Sequence, residues 1–238
     1  MIPLRDANPT HRTAIVTIGL IVACFVIYAW QLGLLASGGD EGLGAFIRTW
    51  GVVPVEVIGA WDSGDVVSAA TAGLISSQFL HGGWLHLLGN MLYLWIFGNN
   101  IEDRLGRLPF IVFYLAGGIA AALAQIAIDP ASDVPMIGAS GAIAAVLGAY
   151  LVLYPRARIT SLVFLCFFYQ LIDVPALLVL AFWFVLQLID GLASLGVSSS
   201  GGGVAFFAHI GGFVFGAGVA LVLRSVGRAG PARRMTVG

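Results

Sequence analysis

Four polar side chains, His86, Asn90, Ser140 and His209, stand inside otherwise apolar stretches of a 238-residue chain. A serine hydroxyl is a poor nucleophile until a neighbouring base takes its proton, and neutral histidine suits that task near pH 7. Attack on an amide also needs donors for the developing oxyanion, each worth a few kcal/mol. Asn90, His86 and the backbone N–H of Ser140 are the candidates. No Asp or Glu stands at their depth, so the pattern predicts a Ser140–His209 dyad without a third carboxylate. Other hydrolase patterns fail. The run GASGA, Gly138 to Ala142, lacks the second glycine of a GxSxG nucleophile elbow, and no HExxH zinc motif occurs. His81 and His86, five residues apart, would fall on different sides of a helix, so neither a metal nor another cofactor is expected. Cys24 and Cys166 lie in apolar runs and read as inert buried thiols.

Composition says what kind of element carries these residues. The chain is 59% hydrophobic and 10% charged, with a mean hydropathy of +0.98, whereas a water-soluble domain carries about a quarter charged residues. The reading is a multi-pass integral membrane protein with the lipid bilayer around it. A net charge of -1 leaves no basic surface for nucleic acid. Crossing about 30 Å of hydrocarbon takes roughly 20 apolar residues, and such runs lie near 14–36, 84–101, 109–128, 136–154, 174–193 and 205–224. The first is too long for a signal-peptide core and lacks a cleavage site, so it reads as a retained helix. The apolar segment 159–173, between Pro155 and Pro175, reads either as an interfacial segment or as an early start of the fifth helix. The predicted fold class is all-α and polytopic, a six-helix bundle forming one membrane domain over 1–238 and ending in a short basic tail, 225–238.

Arginine placement sets the orientation, because cytoplasmic loops hold the cationic residues. Arg5 and Arg12, Arg104 and Arg107, Arg156 and Arg158, and Arg224, Arg228, Arg233 and Arg234 all fall on one side; of the 11 cationic residues only Arg48 does not. Both termini are therefore expected in the cytoplasm. The first connection, about 37–83, is long and acidic, and its apolar stretch from Phe46 to Trp61 is expected to lie in the membrane interface. Ser198–Gly203 reads as a flexible lead into the last helix.

With this topology the second, fourth and sixth helices all run inward from the outer face. At about 1.5 Å per residue, Ser140 and His209 each lie roughly 6 Å down, and His86 and Asn90 roughly 3 and 9 Å down. His86 and Asn90, four apart, share a helix face, with His81 at the mouth. Gly138, Gly141 and Gly148 allow close approach to a helix bearing Gly212 and Gly216, whose GxxxG spacing serves close packing in lipid. Gln31, Gln125 and Gln187 read as hydrogen bonders between helices. Asp190, at a helix end, reads as a solvated group.

At these residues the chain resembles the rhomboid family of intramembrane serine proteases, of the bacterial six-helix type. The matching pieces are HGGWLHLLGN (His81 to Asn90), NIEDRLG (Asn100 to Gly106), GASGA (Gly138 to Ala142) and AHIGGFVFG (Ala208 to Gly216). The resemblance implies Ser140 as nucleophile and His209 as general base, with His86, Asn90 and the Ser140 amide lining the oxyanion hole. It also implies Glu102 and Arg104 as a structural motif at the cytoplasmic end of the second helix, and Gly212 as the site of close approach between the sixth and fourth. Transmembrane proteins would be the substrates, cut near the outer face. Phe182, Trp183 and Phe184 would stand at a lateral gate, and Ser76, Ser77 and Gln78 would help form a water path. Two positions depart from the family pattern: Ala144 stands where many members have an aromatic that packs on the histidine, and Ala72-Gly73 where many have Trp-Arg. Two other readings are carried forward: a non-catalytic rhomboid-like protein that binds membrane clients, and a channel or transporter, which the lack of charge at helix centres and of an internal repeat disfavours.

Overall fold

In a computed structural model, residues 2–165, 168–194 and 205–227 are described. Cys166, Ser198–Gly203, Arg228, Arg233 and Arg234, and the side chain of Asp190, lie outside what is described. The helices are α1 (Ile15–Trp50), α2 (Pro54–Asp62), α3 (Ala69–Ser76), α4 (Trp84–Tyr93), α5 (Asn99–Leu105), α6 (Arg107–Ile128), α7 (Ser140–Leu153), α8 (Ala176–Ser194) and α9 (Phe206–Ser225). A π-helical segment, Leu94–Gly98, joins α4 to α5. Three of these helices, α1, α6 and α9, are long and apolar enough to cross a membrane; α7 and the Ala176–Ile189 part of α8 are shorter and equally apolar.

The helix that bears Ser140 is the hub. Gly141 through Tyr150 of α7 are all buried, as expected of a helix apolar all round its circumference and therefore enclosed by others. Its small residues decide how close the neighbours come. A Cβ on Gly212 would overlap the Gly141 carbonyl, and one on Gly216 the Ala145 carbonyl, so α7 and α9 run parallel with their backbones in contact. On the other side Ala121 and Gly117 of α6 meet Gly141 and Ala145 in the reverse order, which makes α6 antiparallel to α7.

The first connection is mostly helical. Helix α1 continues past the expected end near 36 to Trp50, broken only at Gly39, whose φ of 61° has no place in a right-handed helix. Helices α2 and α3 follow and close over a small core of Val52, Val57, Leu74, Ala122 and Ile126. Arg48 pairs with Glu56 at 2.6 Å. Hydropathy marks the apolar stretch from Phe46 to Trp61 and cannot see that Val52 and Val57 meet Leu74 and two residues of α6. Gly73, at one of the two departures from the family pattern, lies so close to Gly51 that a Cβ would overlap the Gly51 carbonyl. Nearby, Ser76 Oγ donates to the Trp50 carbonyl at 2.7 Å and Trp61 Nε1 donates to Thr71 Oγ1 at 3.0 Å. Backbone contact anchors the lobe here.

The all-α expectation needs correction as well. Strands β1 (Ile2–Asp6), β2 (Arg158–Leu165) and β3 (Phe168–Pro175) form a sheet in the order β1-β2-β3. β2 and β3 are an antiparallel hairpin running from Arg158↔Pro175 to Leu165↔Phe168. β1 pairs with β2 from Ile2↔Leu162 to Asp6↔Ile159, with an irregularity at Pro3, which has no N–H to give. The described part of the segment 159–173 is thus strand and not a helix start. Its β-branched and aromatic residues between two prolines were the available signal. The partner strand comes from the far N-terminus, a pairing no local pattern contains.

Candidate active site

The stretch before α7 is extended. Met136 N–H donates to the Val52 carbonyl at 2.8 Å and Val52 N–H returns to the Met136 carbonyl at 3.0 Å. Gly138 then turns the chain at a φ of 127°, a conformation that favours glycine, and its N–H donates to the Ser77 carbonyl at 2.9 Å. Pairing with Val52 removes 136–139 from the expected helix, so Ser140 opens α7 instead of lying four residues inside it. The first N–H groups of a helix have no intrahelical acceptor and carry the positive end of its dipole. A nucleophile placed there has its own backbone donors beside it.

From α9, His209 Nε2 lies 2.7 Å from Ser140 Oγ. The other ring nitrogen, Nδ1, lies 2.6 Å from Oε1 of Gln187 on α8. Trp183, one turn earlier on α8, sets its ring 5.9 Å from the imidazole at 38°. Sequence reading missed this use of Gln187. The signal was present as a single amide in an apolar helix, with nothing local to say which helix it met. Two backbone donors of the α9 entrance, Phe207 N–H and Ala208 N–H, give hydrogen bonds to Gln125 Oε1 of α6 at 3.1 and 3.3 Å. Gln125 therefore caps the helix that carries His209.

His86 and Asn90 of α4 reach the same turn. A Cβ on Gly138 would meet His86 Nε2 at 2.7 Å and Asn90 Nδ2 at 3.7 Å, so only glycine leaves room for both. Gly82 N–H donates to His86 Nδ1 at 3.4 Å, which leaves Nε2 as the proton-bearing atom on the Gly138 side. Asn90 Nδ2 is buried with no partner among the described residues. On the opposite side a Cβ on Gly141 would meet Ala121 at 2.6 Å.

His81 is placed differently from the expectation. It precedes α4 and is buried, not set at a mouth. Its ring packs edge-on against His86 with centroids 5.2 Å apart; helical geometry does not separate the two because only His86 is on the helix. Gln31 of α1 clamps the His81 backbone, donating from Nε2 to its carbonyl at 3.1 Å and accepting from its N–H at 3.0 Å. Burial, reinforced by His86, holds His81 well below the usual histidine range, at about 4, and the ring is neutral at pH 7. No three His, Cys, Asp or Glu side chains converge among the described residues.

The residues expected along a water path make contacts within the protein. Ser76 is tied to Trp50, and Gln78 Nε2 donates to the Leu74 and Leu115 carbonyls at 2.9 and 3.2 Å. The three candidate gate residues diverge: Phe182 is 63% exposed on the outside of α8, Trp183 covers His209, and Phe184 stacks on Phe213 of α9 at 4.5 Å. At the far end of the bundle Glu102 accepts from Val16 N–H at 3.0 Å and from Thr17 N–H at 2.7 Å, capping α1, with Arg104 in the last turn of the same short helix α5.

The Rhomboid domain family matches residues 69–226. The chain is similar to the mitochondrial rhomboid protein 1 of Saccharomyces cerevisiae, 37% identical over 95 residues, which is 38% of this chain and 28% of that protein. It is similar to the RHOMBOID-like protein 5 of Arabidopsis thaliana, 37% identical over 78 residues, 33% of this chain and 25% of that protein. The rhomboid protease GluP of Bacillus subtilis is 41% identical over 78 residues, 33% of this chain and 15% of that protein. The aligned part thus spans about a quarter or less of these relatives' length.

Proposed function

We propose, from the premise that this chain belongs to the rhomboid family, that it is an intramembrane serine protease that cuts the transmembrane segments of other membrane proteins near the outer face. The observation that carries the reading is the 2.7 Å contact between Ser140 Oγ and His209 Nε2 at the N-terminus of a buried helix. The chain is an integral membrane protein. In the proposed arrangement α1, the α4–α5 unit, α6, α7, α8 and α9 are the six spans, with α2 and α3 in the outer interface. Arginine placement supports termini in the cytoplasm, and the resemblance to bacterial six-helix members supports the inner membrane of a bacterial cell.

Helix length supports the depth of the site. The 14 residues of α7 rise about 21 Å at about 1.5 Å each, short of the roughly 30 Å of hydrocarbon. With its C-terminal end at the cytoplasmic side, beside Arg156, its N-terminus and Ser140 lie several ångströms below the outer boundary.

In the reaction, Ser140 Oγ attacks the scissile carbonyl carbon while its proton passes to His209 Nε2. The tetrahedral oxyanion accepts from the Ser140 N–H, His86 Nε2–H and Asn90 Nδ2–H. Collapse breaks the C–N bond as His209 Nε2–H protonates the leaving amine, leaving an acyl ester on Ser140. Water, deprotonated by His209, then hydrolyses the ester and returns the proton to Oγ. A helical substrate must unwind locally first, since its carbonyls are hydrogen-bonded within the helix. Small residues and helix breakers near that depth favour cleavage.

The test is cleavage of a transmembrane reporter in proteoliposomes by the parent chain and Ser140→Ala, with fluorophosphonate labelling in parallel. Cleavage and labelling by the parent alone are expected. Equal processing by both, or no labelling of Ser140, overturns the reading; a parent that binds the reporter and leaves it uncut is the client-binding alternative.

A further inference from the structure

The hydrogen bond that His209 Nδ1–H donates to Gln187 Oε1 of α8 is not explained by a serine–histidine dyad. We propose that Gln187 is a positioning residue that selects the reactive tautomer of His209, so that the chain works with a Ser140–His209–Gln187 triad whose third member is a neutral amide. The proposal rests on the protease reading above.

A neutral imidazole has one N–H and one lone pair, and only the nitrogen with the lone pair can take the serine proton. An amide oxygen accepts and cannot donate. With Gln187 Oε1 2.6 Å from Nδ1, the proton belongs on Nδ1 and the lone pair on Nε2, 2.7 Å from Ser140 Oγ. The other tautomer would set two lone pairs against each other at Nδ1 and turn an N–H toward the hydroxyl, which is inert as a base. The carbonyl dipole of Gln187 also faces the imidazolium formed when the proton has moved. It does so without a fixed anion, whose desolvation in an apolar layer is costly.

Two further observations point the same way. Trp183 and Gln187 are i and i+4 on α8, hence on one face, and both meet His209. Ala144, on α7 one turn below the serine, is a buried methyl packed near Gly212 and offers the imidazole no ring to lean on. In this chain the base is oriented from α8, so the docking of α8 on α9 becomes a condition for a competent base.

The experiment compares the parent, Gln187→Met and Gln187→Glu in proteoliposomes across pH, with kcat, KM and fluorophosphonate labelling rates for each. Methionine keeps the length of the side chain and loses the acceptor. A fall in kcat of about 10- to 100-fold with KM nearly constant, and a parallel slowing of Ser140 labelling, is expected. Glutamate keeps the acceptor and adds charge, so activity persists and the acidic limb of the kcat/KM profile moves up by about one pH unit. A methionine variant with parental kcat overturns the proposal. If that variant fails to fold, a glutamate variant with an unmoved acidic limb overturns it, and a shifted limb supports it. A parent that neither cleaves nor labels overturns the protease reading and the triad together, whereas an active parent with insensitive Gln187 variants overturns the triad alone.

Discussion

The backbone N–H and the hydroxyl of Thr17 both donate to one carboxylate, that of Glu102, at 2.7 and 2.8 Å. Val16 N–H adds a third bond at 3.0 Å. A side chain 85 residues away in sequence thus supplies what the start of α1 lacks locally, where Ala14 gives no side-chain cap. A negative group at a helix N-terminus is stabilised by the dipole as well as by the bonds. Glu102→Ala should lower stability by about 2–3 kcal/mol, since buried donors lose their acceptor. Glu102→Gln, which keeps one acceptor oxygen, should lose less. Thermal melts in detergent rank the variants; an alanine variant as stable as the parent would show the cap to be idle.

Gly216 tests how the site is held together. A methyl group there meets the Ala145 backbone, which cannot rotate aside, so α7 and α9 must part. Gly216→Ala is expected to cut turnover at least 10-fold and to lower the melting temperature, because the Ser140–His209 contact spans the same two helices. On the same helix, Gly218 has nothing within 4 Å of a built Cβ, and Gly218→Ala should behave as the parent. Matching losses in the two variants would mean that close approach at Gly216 is not what the substitution disturbs.

Asn90 separates catalysis from stability. Its Nδ2 is buried without a described partner, so removing it breaks no native hydrogen bond there. Asn90→Ala should reduce kcat by about 10- to 100-fold, within the range for loss of one oxyanion donor, and less than Ser140→Ala does. Its melting temperature should change little. An unaltered kcat would remove Asn90 from the oxyanion role.

Asp6 makes stability depend on pH at the other end of the molecule. Burial raises its carboxyl above the ordinary value of 3.8, against hydrogen bonds from Tyr150 and Asn8 that lower it. The unfolded chain therefore gives up this proton first as pH rises. The Asp6 contribution to stability is full below 3.8 and declines as pH climbs through the higher folded value. Asp6→Asn keeps an oxygen for the Asn100 and Tyr150 donors and should flatten the curve across that window. Melting temperatures measured from about pH 3.5 to 6.5 decide it; parallel curves would mean that Asp6 is not the titrating group.

Membrane residence was legible because hydropathy sums over a segment and needs no partner. The residues worth following were legible for a related reason: polar groups in lipid are few, so His86, Asn90, Ser140 and His209 stand out, and their motifs carry the family resemblance. Local patterns were weaker at boundaries. The stretch 136–139 is as apolar as a helix and is kept out of one by the pairing of Met136 with Val52 and the turn at Gly138. The hairpin at 158–175 offered β-branched residues, while its third strand offered five ordinary ones at the N-terminus.

Gln187 shows where reading along the chain ends. As a residue type it promised a hydrogen bond; which atom would meet it depended on how α8 lies across α9, with Gln187 and His209 22 positions apart. The same holds for Glu102 and Thr17, and for Gly73 and Gly51. Composition, periodicity and spacing act within one segment, and they identified the bilayer, most of the helices and the residues able to do chemistry. The hydrogen-bond partner of His209, the cap on α1 and the anchoring of α2 and α3 arise where segments distant in sequence meet, because hydrogen bonds and close contacts exist only once packing has set those distances.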